Sequence, residues 1–223
     1  MTVSGTGKLI VLEGPDGVGK TTQVEFLRQN LASMGIPVIK SREPGNAFDG
    51  KLRQLIMSGE AESLAAFFLF ITDRAQHVAK TVLPALQAGT WVILDRFSDS
   101  TLAYQWWADI DEPTAVHSTF KTWEHFFEFV EASAVVEPDL VVHLALSMVE
   151  AKNRLEARSE EMNHFDTASF QRRKRIHEFF SVKMPQLRSK RLVTVDGGQT
   201  PEAVARDVIS RVNSFFKLRG IAA

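Results

Sequence analysis

Hydrophobic positions along the chain follow two alternating rhythms. Five short, nearly continuous apolar runs occur at Leu9–Leu12, Val38–Ser41, Trp91–Leu94, Leu140–Leu144 and Leu192–Val195. Runs of that length without polar alternation are what parallel strands covered on both faces require. Between them, apolar residues recur every three or four positions and predict helices over 21–34, 50–58, 61–87, 114–134, 148–158, 167–184 and 201–217. Strand and helix taking turns predict an α/β fold, a doubly wound five-stranded parallel sheet with helices on both faces, formed by one domain over residues 1–223. In such sheets ligands sit beyond the carboxyl ends of the strands. Three chemically loaded segments fall there: Gly14–Thr21, Arg42–Gly45 and Asp95–Arg96. No internal repeat, low-complexity tract or linker interrupts the pattern.

Composition narrows the partners. With 223 residues, 44% of them hydrophobic, the chain can bury an ordinary core. A formal net charge of -1 argues against broad electrostatic binding to nucleic acid and favours a compact anionic ligand. The chain has no cysteine, hence no disulfide framework and no thiolate metal site. No apolar run has the length of a membrane span, and Met1–Lys8 lacks the apolar region of a signal peptide. A soluble cytoplasmic protein is expected. Trp123, Phe126, Phe127 and Val130 recur at helical spacing and read as core. Arg172, Arg173, Lys174 and Arg175 would fan out around a helix, so at least two are expected to face only solvent. His77, His117, His125 and His143 lack a paired ligand spacing and read as structural or surface residues.

The chemistry starts at Gly14-Pro15-Asp16-Gly17-Val18-Gly19-Lys20-Thr21, which fits G-x-x-x-x-G-K-[ST] and lies between a strand run and a helical pattern. Glycines let successive backbone N–H groups converge on phosphate oxygens, and the helix N-terminus adds partial positive charge. Lys20 would reach the β- and γ-phosphates and Thr21 would offer its hydroxyl to Mg²⁺, so ATP and Mg²⁺ are the expected ligands, with Thr22 following at the start of the helix. Asp95 ends a hydrophobic strand, where a carboxylate could hold a magnesium-bound water. Gly5-Thr6-Gly7-Lys8 precedes the strand and lacks the spacing.

Three more segments accompany the loop: Arg42-Glu43-Pro44-Gly45, Phe70–His77 and Asp95–Gln105. With it they resemble the thymidylate kinases, P-loop enzymes that phosphorylate dTMP with ATP. The similarity runs from about Lys8 to Gln105 and resumes more weakly from Pro138 to about Val204, including Pro138-Asp139-Leu140 and Val195-Asp196. The resemblance implies that Gly14, Asp16, Gly17, Val18, Gly19, Lys20, Thr21 and Thr22 bind ATP and that Arg42 and Arg96 hold the acceptor phosphate, each guanidinium gripping two oxygens. For Arg96 the alternative is an ion pair with Asp95. Asp16 would contact the sugar 3′-hydroxyl and orient the acceptor, since the attacking phosphate oxygen is already anionic; alternatively it stabilises a turn. Phe70 and Arg74, four apart, would share one helix face, with Phe70 against thymine and Arg74 near its O4 edge; the alternative for Phe70 is plain core. Thr101 and Gln105 match positions that hydrogen-bond the base, and Tyr104 a position beside the deoxyribose. A small helical lid at about 152–168 would bring Arg158 to the transferring phosphoryl group and Arg154 onto the adenine; the alternative for both is a solvated basic face. The resemblance further implies a homodimer, which the apolar face of Ala65, Phe68, Leu69 and Thr72 permits.

The chain also departs from the family. Some members carry a catalytic arginine inside the phosphate loop, where this chain has Gly17. After Gln105 the usual glycines and arginine are replaced by Trp106-Trp107-Ala108-Asp109-Ile110-Asp111, which could reshape the rim of the acceptor pocket. Asn163-His164-Phe165-Asp166 stands where the lid usually reads Asp-Arg-aromatic-Glu, and Arg175-Ile176-His177 where Arg-Val-Arg is usual. His164 and His177 supply no permanent charge at neutral pH, so a weaker or pH-sensitive lid contribution is expected. Two other functions fit parts of the pattern: a deoxynucleoside monophosphate kinase with another base preference, and a regulatory ATPase without an acceptor pocket.

Overall fold

The computed structural model describes residues 7–45, 47–157 and 168–218. Its centre is a sheet of β1 (Leu9–Glu13), β2 (Val38–Arg42), β3 (Trp91–Asp95), β4 (Leu140–Ala145) and β5 (Leu192–Asp196) in the order β2-β3-β1-β4-β5. All four pairings are parallel, with Ile10 opposite Ile93 on one side of β1 and Leu140 on the other. β1 is buried along its whole length, which is why its sequence shows no polar alternation.

Helices cover both faces. On one, α1 (Lys20–Ser33) and α11 (Pro201–Phe216) pack Val24, Leu27, Leu31, Val204, Val208 and Val212 against Ile10, Leu12, Val142 and Leu144. On the other lie α3 (Ser63–His77), a π-helical turn (Val78–Val82) and α4 (Leu83–Gln87), followed by α5 (Ser98–Gln105) and α7 (Trp123–Ala134). Phe126 and Val130 are fully buried there, so the aromatic stripe is core. Leu27→Ala should lower stability by about 3 kcal/mol, since it removes a side chain from a site with no solvent exposure. A urea-denaturation loss below about 1 kcal/mol would mean that α1 does not pack on the sheet as described.

Three differences from the periodicity are physical. The helix expected over 114–134 is two, α6 (Ala115–Phe120) and α7, separated at Lys121, whose φ is 61°, and restarted by Thr122, which accepts from the His125 amide. The segment expected over 167–184 begins as α9 (Phe170–Glu178), then passes through a π-helical turn (Phe179–Lys183) into α10 (Met184–Leu187). The helix α5 was hidden because its polar residues are buried rather than gathered on a solvent-exposed face: seven of its residues, including Asp99, Thr101 and Gln105, are buried. Among the described residues no helix is long and apolar enough to cross a membrane.

Candidate active site

The carboxyl ends of β1, β2 and β3 open into one cavity of about 560 Å³. Its floor is the loop between β1 and α1. Gly14 has φ 148° and a Cβ there would meet the Leu144 carbonyl at 2.6 Å; Gly17 has φ 82° and its Cβ would meet the Ala151 carbonyl at 2.7 Å. Both positions therefore require glycine for conformation and for space. Val18 turns its side chain into the core and is 2% exposed. α1 begins after Gly19 with no side-chain cap, leaving its first-turn amides for an anion. Lys20, 7% exposed, donates to the carbonyls of Gly14 (3.0 Å) and Pro15 (2.8 Å). Burial, and then the charge of Arg96, bring its ammonium down to about 8, against the pull of Asp16, Asp95 and Glu13. The Thr21 hydroxyl donates to Asp95 Oδ2 at 2.5 Å, a pair of hard oxygen donors at the cavity edge. Thr22 also lines the cavity.

Arg96 joins this loop to the other half of the cavity. Nη1 donates to the Gly14 carbonyl (3.2 Å) and to Ser100 Oγ (2.9 Å), Nη2 pairs with Asp16, and the guanidinium lies 5.1 Å from the centre of the Tyr104 ring. The ion pair is thus with Asp16 rather than with the neighbouring Asp95. Burial alone would raise the Asp16 carboxyl, but Arg96, Lys20 and the hydroxyl of Tyr104, which donates to Oδ2 at 2.6 Å, hold it below the usual range. Arg96 keeps φ 73° while its amide donates to the Leu12 carbonyl at 3.0 Å.

Glu13, fully buried at the end of β1, accepts from the amides of Phe97 (2.7 Å) and Ser100 (3.2 Å) and from the Ser100 hydroxyl (2.7 Å), and so caps the start of α5 from another strand. Burial, then the neighbouring Asp99, lifts its carboxyl to about 7. A folded value above the unfolded one near 4.5 means that the native state binds the extra proton between the two, so Glu13 contributes stability below about pH 4.5 that is lost as pH rises through about 7. Glu13→Gln should flatten that part of the curve, and equal slopes for both proteins in denaturation between pH 5 and 7 would refute the assignment.

The far end of the cavity is built on α3 and α5. Arg74, 2% exposed, donates from Nε to Glu43 Oε2 (2.7 Å) and from Nη2 to Thr101 Oγ1 (2.8 Å), while Nη1 has no hydrogen-bond partner among the described residues. Its guanidinium lies 5.1 Å from the Phe97 ring centre. Phe70, Thr101, Tyr104 and Gln105 line the same space, as does Arg42 from the end of β2. His77 lies between Glu43 Oε1 (3.4 Å) and Ser41 Oγ (2.7 Å), a buried structural role, and Gly45 donates to Asp73 Oδ2 at 2.5 Å. Sequence reasoning missed Arg53, which lines the cavity from α2 (Lys51–Ser58) and donates to the Pro44 carbonyl at 2.7 Å. Burial and then Arg42 lower its pKa, the environment of a site awaiting an anion. Only its position, one helix after a recognised motif, could have flagged it.

Other expected residues fall elsewhere. Arg154 is half-buried on α8 (Met148–Glu156) and does not line the cavity; Arg158 and His164, with most of the lid segment, lie outside the described residues. His177 faces the small gap between the phosphate loop, α8 and α9, where burial lowers its pKa despite Asp16. The four basic residues of α9 correct the expectation of two facing only solvent: Arg172 and Arg175 pair with Asp109 and Asp111, Arg173 lines the same gap as His177, and Lys174 is exposed. Trp106, expected at the rim, is 5% exposed with its ring 4.9 Å from that of Phe126.

An amide-rich loop with a buried lysine, facing an arginine-lined hollow across one cavity, defines the class: this is a P-loop kinase of the parallel α/β type. The sequence matches the thymidylate kinase family model over residues 12–208. It is 34% identical over 201 residues to a thymidylate kinase of Carboxydothermus hydrogenoformans, covering 89% of this chain and 93% of the relative. It is 31% identical over 222 residues to one of Gluconobacter oxydans (98% and 100% covered) and 36% over 224 residues to one of Prochlorococcus marinus (95% and 96%). The chain belongs to the thymidylate kinase family.

Proposed function

We propose that the protein transfers the γ-phosphoryl group of ATP to dTMP, giving dTDP and ADP. The observation that carries this reading is Arg96, which touches the phosphate loop at Gly14 and Asp16 and the acceptor side at Ser100 and Tyr104. The acceptor's phosphate oxygen attacks the γ-phosphorus while the bond to the β–γ bridging oxygen breaks and its electron pair leaves on ADP. The attacking oxygen is already anionic, so the chain's task is alignment and charge neutralisation. Lys20 and the amides of Gly17 to Thr22 would hold the donor; Arg42, Arg96 and Arg53 would hold the acceptor phosphate. Asp16 and Tyr104 would fix the sugar. Phe70, Arg74, Thr101 and Gln105 would receive the base. The Arg74 Nη1, without a partner among the described residues, suits a carbonyl oxygen, because a site with a buried unpaired donor rejects bases that leave it so.

The hydroxyl of Thr21 and carboxylate of Asp95 suit Mg²⁺, which when bound would neutralise charge on the donor phosphates. Arg158 is assigned to the transferring phosphoryl group and Arg154 to the adenine. A cytoplasmic homodimer completes the reading, supported by the exposed Ala65, Phe68 and Thr72 beside half-buried Leu69 on α3. Initial rates with ATP and a panel of monophosphates test it. dTMP should give the highest kcat/KM; a preference for dGMP or dCMP, or ATP hydrolysis indifferent to dTMP, would overturn it.

A further inference from the structure

The segment in which this chain departs from its family, Trp106–Asp111, is bound to α9 by two acid–arginine pairs. Asp111 accepts from the Nη2 and Nε of Arg175 (2.6 and 2.7 Å), one edge of its guanidinium, and also from Gln171 (2.8 Å). Asp109 pairs with Nη1 of Arg172, and the same guanidinium donates from Nη2 to the Tyr104 carbonyl at 2.8 Å. That carbonyl belongs to the last turn of α5, where backbone oxygens have no helical partner and cations are favoured. Its residue points its phenol at Asp16 and carries Arg96 over its ring. The next residue, Gln105, is 6% exposed and lines the cavity. Arg172 is therefore tied to the backbone of the wall that meets the acceptor, while it does not itself line the cavity.

We propose that Arg172, oriented by Asp109, is a positioning residue for acceptor selection: it fixes the end of α5 so that Tyr104 and Gln105 present a rigid wall to the sugar and base. The Asp111–Arg175 pair is more exposed and contributes less, because solvent screens it. The forked contact is what matters, and an ammonium cannot reproduce it. The inference rests on a nucleoside monophosphate being the acceptor.

The test uses the full chain with Arg172→Met, Arg172→Lys and Asp109→Asn, assayed with dTMP and with its ribose counterpart. Arg172→Met should raise KM for dTMP about tenfold, the scale of a lost hydrogen bond to a charged group, and lower the preference for deoxyribose by a similar factor. KM for ATP should stay within about twofold, Arg172→Lys should recover only part of the loss, and Asp109→Asn should show the same selectivity change more mildly. A merely structural role would reduce both acceptors alike, so unchanged deoxyribose preference in a folded variant overturns the inference. If Arg172→Met does not fold, Asp109→Asn decides by the same ratio. Failure of the unaltered protein to use dTMP would instead count against the reading of its function.

Discussion

Lys20→Met is expected to reduce kcat by at least about a thousandfold, the scale seen when a positioned charge on the transferring group is removed. The expectation follows from the side chain's seat. It is 7% exposed, bound to two loop carbonyls, and surrounded by Asp16, Asp95 and Glu13, so its charge acts where water is scarce. Methionine keeps the length of the stem and removes the charge. The loop itself is held by features that the substitution leaves in place, namely the glycine contacts with Leu144 and Ala151 and the buried Val18. Circular dichroism melting should therefore shift by only a few degrees. Single-turnover rates falling less than about tenfold would show that Lys20 does not stabilise the reacting phosphates.

Arg96→Met is expected to lower kcat/KM for dTMP by roughly a thousandfold, about 4 kcal/mol, with a much smaller effect on ATP binding. On the proposed reading the loss would have two parts: the acceptor phosphate would forfeit a forked donor, and Asp16 would be left half-paired among buried groups that had held its carboxyl low. Lysine cannot restore the fork across Gly14, Ser100 and Asp16. Arg96→Gly separates side chain from backbone, since glycine accepts φ 73° without cost yet should be as inactive as methionine. Isothermal titration with dTMP alone checks the origin: retention of full acceptor affinity would place the arginine's role elsewhere.

The three central strands were legible because parallel strands buried on both faces advertise themselves as apolar runs. The edge strands β2 and β5, mostly half-buried or exposed, showed only through their short apolar stretches. The phosphate loop was legible because its glycines and lysine are a local motif. Arg74 and Phe70 could be read as partners because helical spacing is itself local. What stayed hidden depends on neighbours distant in sequence. α5 has no solvent-exposed face, since Glu13 and Arg188 satisfy its buried polar start; Arg188 donates to Ser98 Oγ at 3.2 Å and to Asp99 Oδ1 at 3.0 Å. Arg53 carries no motif and acquires meaning only when α2 is folded against α3, next to the Pro44 loop that follows β2. The basic run of α9 looked solvated because Asp109 and Asp111 lie some sixty residues earlier in the chain.

The close approach of Ala151 to Gly17 limits how this enzyme could be re-engineered. An arginine at Gly17 would drive its first side-chain carbon into a carbonyl 2.7 Å away at a backbone angle that only glycine adopts freely. Introducing a positive side chain there thus demands that α8 be displaced first. In this chain the loop glycine is guarded by a packing barrier that a single codon change would not pass.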